Sequence, residues 1–147
     1  MSQSLSDTVR NMGDTEKVNG WFRWILRIAI TLHALDAFTQ AVFAGRFLAG
    51  SYGMLTAHLD NANFGVSTIS AIQVVVSVLY WRPGGGRGWP ILASLALTGA
   101  EAIQITLGLN RILGVHIPLG ILIILAASWY ATWAWRPAFG TRRERTA

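Results

Sequence analysis

The sequence predicts an all-α integral membrane protein, a four-helix bundle built from two parallel-repeat helical hairpins. Three observations carry that expectation. Of 147 residues, 52% are hydrophobic and only 13% charged, whereas a soluble domain carries about 25% charged residues. Four apolar stretches, at about 25–49, 62–81, 90–109 and 115–135, each approach the ~20 residues needed to cross roughly 30 Å of hydrocarbon. The cations also segregate. Arg10, Lys17, Arg23 and Arg27 precede the first stretch, Arg82 and Arg87 follow the second, and Arg136, Arg142, Arg143 and Arg145 follow the fourth. Only Arg46 and Arg111 occupy the other two connections.

In chain order, residues 1–20 form a polar N-terminal tail, 21–135 the four-helix domain and 136–147 a basic tail. The positive-inside bias places both tails and the loop Arg82-Pro83-Gly84-Gly85-Gly86-Arg87-Gly88 in the cytoplasm. The loops near 46–60 and 109–116 then lie outside. A multi-pass plasma-membrane protein is expected, with the bilayer as its main partner. Trp21 and Trp24, Tyr80 and Trp81, Trp89, and Trp129, Tyr130, Trp133 and Trp135 mark the interfaces. The polar lead, the length of the first stretch and its embedded Asp36 argue against a cleaved signal peptide. A pI of 10.8 does not indicate nucleic acid, because the cations flank apolar runs and form no contiguous soluble face. The Pro-Gly-rich loop lacks a P-loop lysine and is expected to be a flexible linker.

The halves repeat. Asp36-Ala37-Phe38-Thr39-Gln40 leads to Gly50, His58 eight residues later, and a helix ending Tyr80-Trp81-Arg82-Pro83. Glu101-Ala102-Ile103-Gln104 leads to Gly108, His116 eight residues later, and a helix ending Ala134-Trp135-Arg136-Pro137. Two hairpins of the same sense are related by an axis along the membrane normal. His58 and His116 are therefore expected at similar depth on opposite sides of that axis, where two imidazoles are placed to ligate one iron. Zero cysteines remove thiolate-held metals and covalent c-type haem, leaving histidine as the anchor. Haem b is the cofactor this suggests, with Arg46 and Arg111 as charge-assisted donors to its propionates. Gly50, Gly108, Gly65 and Gly120 would admit a bulky ring, and Asn63, Ser67 and Ser70 form a small-residue stripe on the second helix. Zinc would need Asp60 as a further ligand.

A second polar set lies inside the apolar runs. His33, Asp36 and Gln40 share a face of the first helix, and Glu101 and Gln104 a face of the third. Intramembrane ionisable groups are functional candidates. These would serve a proton or quinone path or a second cofactor site involving His33, or else a buried His33–Asp36 interaction plus a protonated Glu101 bonded to a neighbouring helix.

The paired histidines resemble one half of the haem A synthase family, and equally small bacterial four-helix b-type haem membrane proteins. The residues carrying the likeness are His58 and His116, each preceded by a glycine (Gly50, Gly108) and followed by another (Gly65, Gly120), over roughly 30–135. The resemblance implies a four-helix module whose second and fourth helices each give an axial ligand to a b-type haem. Two departures bear on activity. Family members often place Arg directly after a ligand His and Glu one turn before it on the second helix, whereas Leu59 follows His58, and Met54 and Leu55 precede it. One half alone also does not provide a two-haem synthase unless the chain dimerises. The expected function is electron transfer or haem handling beside a membrane oxidoreductase or quinone, as a homodimer or a subunit of a larger complex. The alternatives are a non-redox accessory or assembly subunit, and a small-solute or proton-coupled transporter using Asp36 and Glu101. No catalytic residues are expected, since neither a nucleophile elbow nor an HExxH occurs.

Overall fold

A computed structural model describes the backbone of residues 2–136 and the side chains of residues 20–136; the basic tail expected at 137–147 lies outside the described residues. Four helices, and no strand, make up the described chain: α1 Ser2–Leu48, α2 Gly53–Trp81, α3 Trp89–Leu109 and α4 Leu113–Ala134. All four are long and apolar enough to cross a membrane, α1 over Gly20–Leu48. Each matches an apolar stretch of the sequence. The second begins earlier than expected, at Gly53, so His58 stands on a helix within the span and not in the connecting loop.

The core positions recur every three or four residues on each helix. On α1 they are Leu26, Ile30, His33 and Ala37; on α2, Val66, Ser70, Gln73, Ser77 and Tyr80. On α3 they are Pro90, Ser94, Leu97 and Glu101, and on α4 Ile123, Ala127, Tyr130 and Ala134. This is the seam of an antiparallel bundle with shallow crossing angles. Helix α1 packs on α2 and α4, and α3 packs on the same two, so α1 faces α3 across the centre. Large apolar side chains such as Leu92, Leu122, Leu125 and Trp129 point outward, as lipid-facing positions do.

One end of the bundle carries the 82–88 connection, the other the histidines. At the first end Leu26, Ile30, Tyr80, Leu97 and Tyr130 form the apolar cluster. Arg27 donates through Nε to the Ala134 carbonyl at 2.8 Å, which places a cation at the C-terminus of α4. Its guanidinium lies over the Trp24 and Trp135 rings at 5.2 and 5.3 Å, and Trp135 Nε1 donates to Thr31 at 2.9 Å.

The glycine-rich connection is not the flexible linker its composition suggests. The Gly84 amide donates to the Leu79 carbonyl at 3.0 Å and the Gly86 amide to the Tyr80 carbonyl at 2.9 Å. Gly84 is buried, and Gly85 has φ +65°, which favours glycine. A methyl group at Gly84 would strike the Tyr80 backbone, and one at Gly86 its ring. These glycines let the chain close on Tyr80 and cap α2.

A π turn over Asn61–Val66 interrupts α2. The extra residue shifts the helix face. The small-residue stripe does not share one environment: Ser70 is buried, but Asn63 and Ser67 are exposed. Gly65 packs on the Asn61 side chain, whose amide is delivered to Asp36. Such insertions often sit beside functional groups.

Candidate functional site

At the histidine end, the repeat produces the same local contact twice. His58 Nδ1 donates to the Gln40 carbonyl at 3.1 Å, and His116 Nδ1 donates to the Gln104 carbonyl at 2.9 Å. The paired residues are those the sequence repeat aligns. A carbonyl only accepts, so each Nδ1 carries the hydrogen, and each Nε2 is left as a lone-pair donor in the neutral ring. That is the arrangement in which protein groups orient metal-binding imidazoles.

The two rings lie 6.2 Å apart between centroids with an interplanar angle of 69°. Two imidazoles on opposite sides of one metal, with bonds of ~2.0 Å and ~1.1 Å more to each ring centre, have centroids roughly 6.2 Å apart. The same separation is also ordinary for edge-to-face rings. The Nδ1 hydrogen bonds give the pair its chemical direction.

The surroundings hold buried polar atoms without partners. Among the described residues, four of the five buried side-chain atoms without a hydrogen-bond partner lie in this half: Asp36 Oδ2, Gln40 Oε1 and Nε2, and Gln104 Oε1. The fifth, Arg23 Nε, is at the other end. Unpaired polar atoms buried at membrane depth are costly. Gly108 backs the His116 ring so closely that a Cβ there would stand 2.9 Å from Cε1. Gln104 grips the same residue twice, its amide also donating to the His116 carbonyl at 2.8 Å. Gly120 admits that amide, since a Cβ would stand 2.8 Å from Nε2.

Other expected members are placed differently. Gly50 has φ +94° and no neighbour within 4 Å of a built Cβ, which makes it a turn residue at the end of α1. Gly65 meets Asn61 instead of a histidine. Arg46 and Arg111 are exposed on the rim. Asp60 is exposed, and no group of three or more His, Cys, Asp or Glu able to hold a metal occurs among the described residues.

Deeper in the bundle lies a second site. His33 and Asp36 make no direct hydrogen bond or ion pair: His33 points to the bundle centre while Asp36 accepts from Asn61 Nδ2 at 2.8 Å. His33 instead meets Glu101 through Nε2 and Gln73 Oε1 through Nδ1 at 3.0 Å. Ser70 donates to the other Glu101 oxygen. Gln73 Nε2 donates to Ser94 at 3.2 Å, Ser94 and Ser77 hydroxyls are 2.9 Å apart, and Tyr130 donates to the Pro90 carbonyl at 3.1 Å. All four helices contribute. Gln73, Ser77, Ser94 and Tyr130 were not evident from the sequence as a site. For Gln73 and Ser77 the signal is a three-and-four spacing of polar residues within an apolar run, at Ser70, Gln73, Ser77 and Tyr80.

The donors order this network. Gln73 gives its amide hydrogen to Ser94, so its oxygen faces His33 and takes the Nδ1 hydrogen. The remaining His33 Nε2···Glu101 contact then holds one proton between imidazole and carboxylate. Either assignment leaves the pair with zero net charge.

Fold and sites together define a small four-helix membrane protein with paired imidazoles at one end and a neutral His–Glu pair at its centre. No family model, curated protein or solved structure matches the chain.

Proposed function

We propose that the protein binds one haem b through His58 and His116 and serves in electron transfer or haem handling in the plasma membrane. The observation that carries this reading is the duplicated Nδ1–H···O=C contact, which directs two Nε2 lone pairs from rings 6.2 Å apart. Bound there, haem would supply reversible one-electron chemistry. The chain's part is to hold the rings: Gln40 and Gln104 fix the tautomers, and Gly108 gives His116 its place. Arg46 and Arg111 stand on the rim at the same end and would pair with propionates. The positive-inside bias assigns this end to the outer face, with both termini cytoplasmic. A membrane oxidoreductase or a quinone is the partner class this function calls for.

Asp36 and Glu101 support a different reading, in which polar pairs hold the bundle in register for an accessory subunit. Each is tied to a neighbouring helix. That role is compatible with haem binding. A transporter using both residues would lose flux in Asp36→Asn or Glu101→Gln.

The deciding experiment is the visible spectrum of detergent-purified protein from haem-replete cells, oxidised and dithionite-reduced. A Soret band with sharpened bands on reduction is expected; a featureless spectrum rejects the proposal. Gly108→Ala should swing the His116 ring off the Gln104 carbonyl. Outer-shell changes of this kind typically cost 10–100-fold in affinity, so haem should be lost on dilution at concentrations where the parent protein keeps it.

A further inference from the structure

The His33–Glu101 pair is buried, 1% and 6% exposed, and it lies between the expected redox centre and the opposite end of the bundle. Helix α3 links it to one imidazole: Glu101 precedes Gln104, the carbonyl partner of His116, by three residues, or ~4.5 Å of rise. Helix α1 links it to the other, since His33 precedes Gln40, the carbonyl partner of His58, by seven residues.

The pair has room for one more proton without moving a heavy atom. As described, Ser70 donates to Glu101 Oε2. A hydroxyl accepts as readily as it donates, so rotating the Ser70 hydrogen away lets Oε2 carry a proton and donate to Ser70. His33 would then donate from both nitrogens, to Gln73 Oε1 and to Glu101 Oε1. The acceptor for the added proton, the Ser70 oxygen, is already in place.

We propose that His33 and Glu101 form a proton-binding site whose occupancy is linked to the redox state of the haem assigned to His58 and His116. With haem held there, the pair would take one proton from water for each electron the protein accepts from an external one-electron donor, and would release it on reoxidation. Electron and proton charges cancel. Inside a low-dielectric bundle, an electron's charge is weakly screened and favours a compensating cation nearby. Gln73 orients the pair and does not conduct, because a carboxamide relays a proton only through its imidic tautomer. Equilibrium exchange with water through local opening is sufficient.

Few other ionisable groups face the pair. On α1 they are Asp36, held by Asn61, and Arg27 towards the other end; on α4, the Tyr130 hydroxyl. The facing segments of α2 and α3 contribute Ser70, Gln73, Ser77 and Ser94 beyond Glu101 itself, with Tyr80 of α2 towards the other end.

This inference rests on the haem reading, and one redox titration across pH separates the two. With proton linkage, the midpoint potential of the parent protein falls as pH rises, by up to ~59 mV for each tenfold drop in proton activity. Glu101→Gln should flatten that dependence, and redox-difference infrared spectra of the parent should show a carboxyl signal that Glu101→Gln removes. A Soret band with a pH-independent potential and no carboxyl signal overturns the proton site alone. No Soret band overturns the haem reading and this inference with it. Should Glu101→Gln fail to fold, the potential and infrared signal of the parent protein decide.

Discussion

Replacing His58 or His116 by Ala is expected to weaken haem retention by more than the 10–100-fold that loss of an outer-shell partner costs, and the double substitution to abolish the Soret band. The reason lies in how the two rings are held. Each is oriented by a backbone carbonyl, Gln40 for His58 and Gln104 for His116, and a backbone group survives any side-chain exchange. The substitutions therefore remove the nitrogen donor and little else. His58 and His116 are each only partly buried, so neither change opens a large core cavity, and the helical circular dichroism should stay close to that of the parent. Exogenous imidazole should restore part of the band in either single variant by filling the vacated position. Asp60→Asn is the control, since Asp60 is exposed two residues from His58; a dependence on Asp60 would instead favour a metal site that includes its carboxylate. Unchanged spectra in both single variants would show that the histidines are not ligands.

The pairing of these histidines was legible in the sequence because it depends on topology. Two hairpins of equal sense, with Gly and His at the same interval and a glutamine upstream of each, can meet only across the bundle axis. The partners of His33 were not legible in the same way. Sequence proximity suggests Asp36, but three residues turn an α-helix through most of a circle, leaving Asp36 to one side of the seam. The π turn in α2 then brings Asn61 to it, and nothing in residues 61–66 announces an inserted residue. The glycine-rich connection misled for a related reason. Flexibility and close approach both require small residues, and only the position of Tyr80 shows that close approach decides at Gly84 and Gly86. Apart from Ser70, the uncharged members of the central network do not stand out in the sequence, because Ser, Gln and Tyr are tolerated singly in membrane helices. Their common spacing along the seam, not their chemistry one by one, marks them as a set.

Removing the Glu101 side chain should be the most destabilising single change in the central network. Glu101→Ala leaves His33 Nε2 and the Ser70 hydroxyl facing a cavity, and both residues are buried. Orphaned polar groups cost about 1–3 kcal/mol each, and breaking a buried pair costs about 3–5 kcal/mol in total. Membrane interhelical hydrogen bonds average nearer ~0.6 kcal/mol, so the size of the effect distinguishes a hub from an ordinary contact. Glu101→Gln keeps the shape, can donate to His33 and accept from Ser70, and should cost less than about 1.5 kcal/mol, as volume-conserving changes do. His33→Ala strands Glu101 and Gln73 together. Because both deletions break the same contact, the double variant His33→Ala with Glu101→Ala should cost less than the sum of the singles by 0.5–3 kcal/mol, roughly the range for residues in one network. Unfolding followed by circular dichroism in mixed micelles of rising SDS content measures all four proteins. Strict additivity would mean that His33 and Glu101 are neighbours without energetic connection, and that the bundle centre is held by its apolar contacts alone.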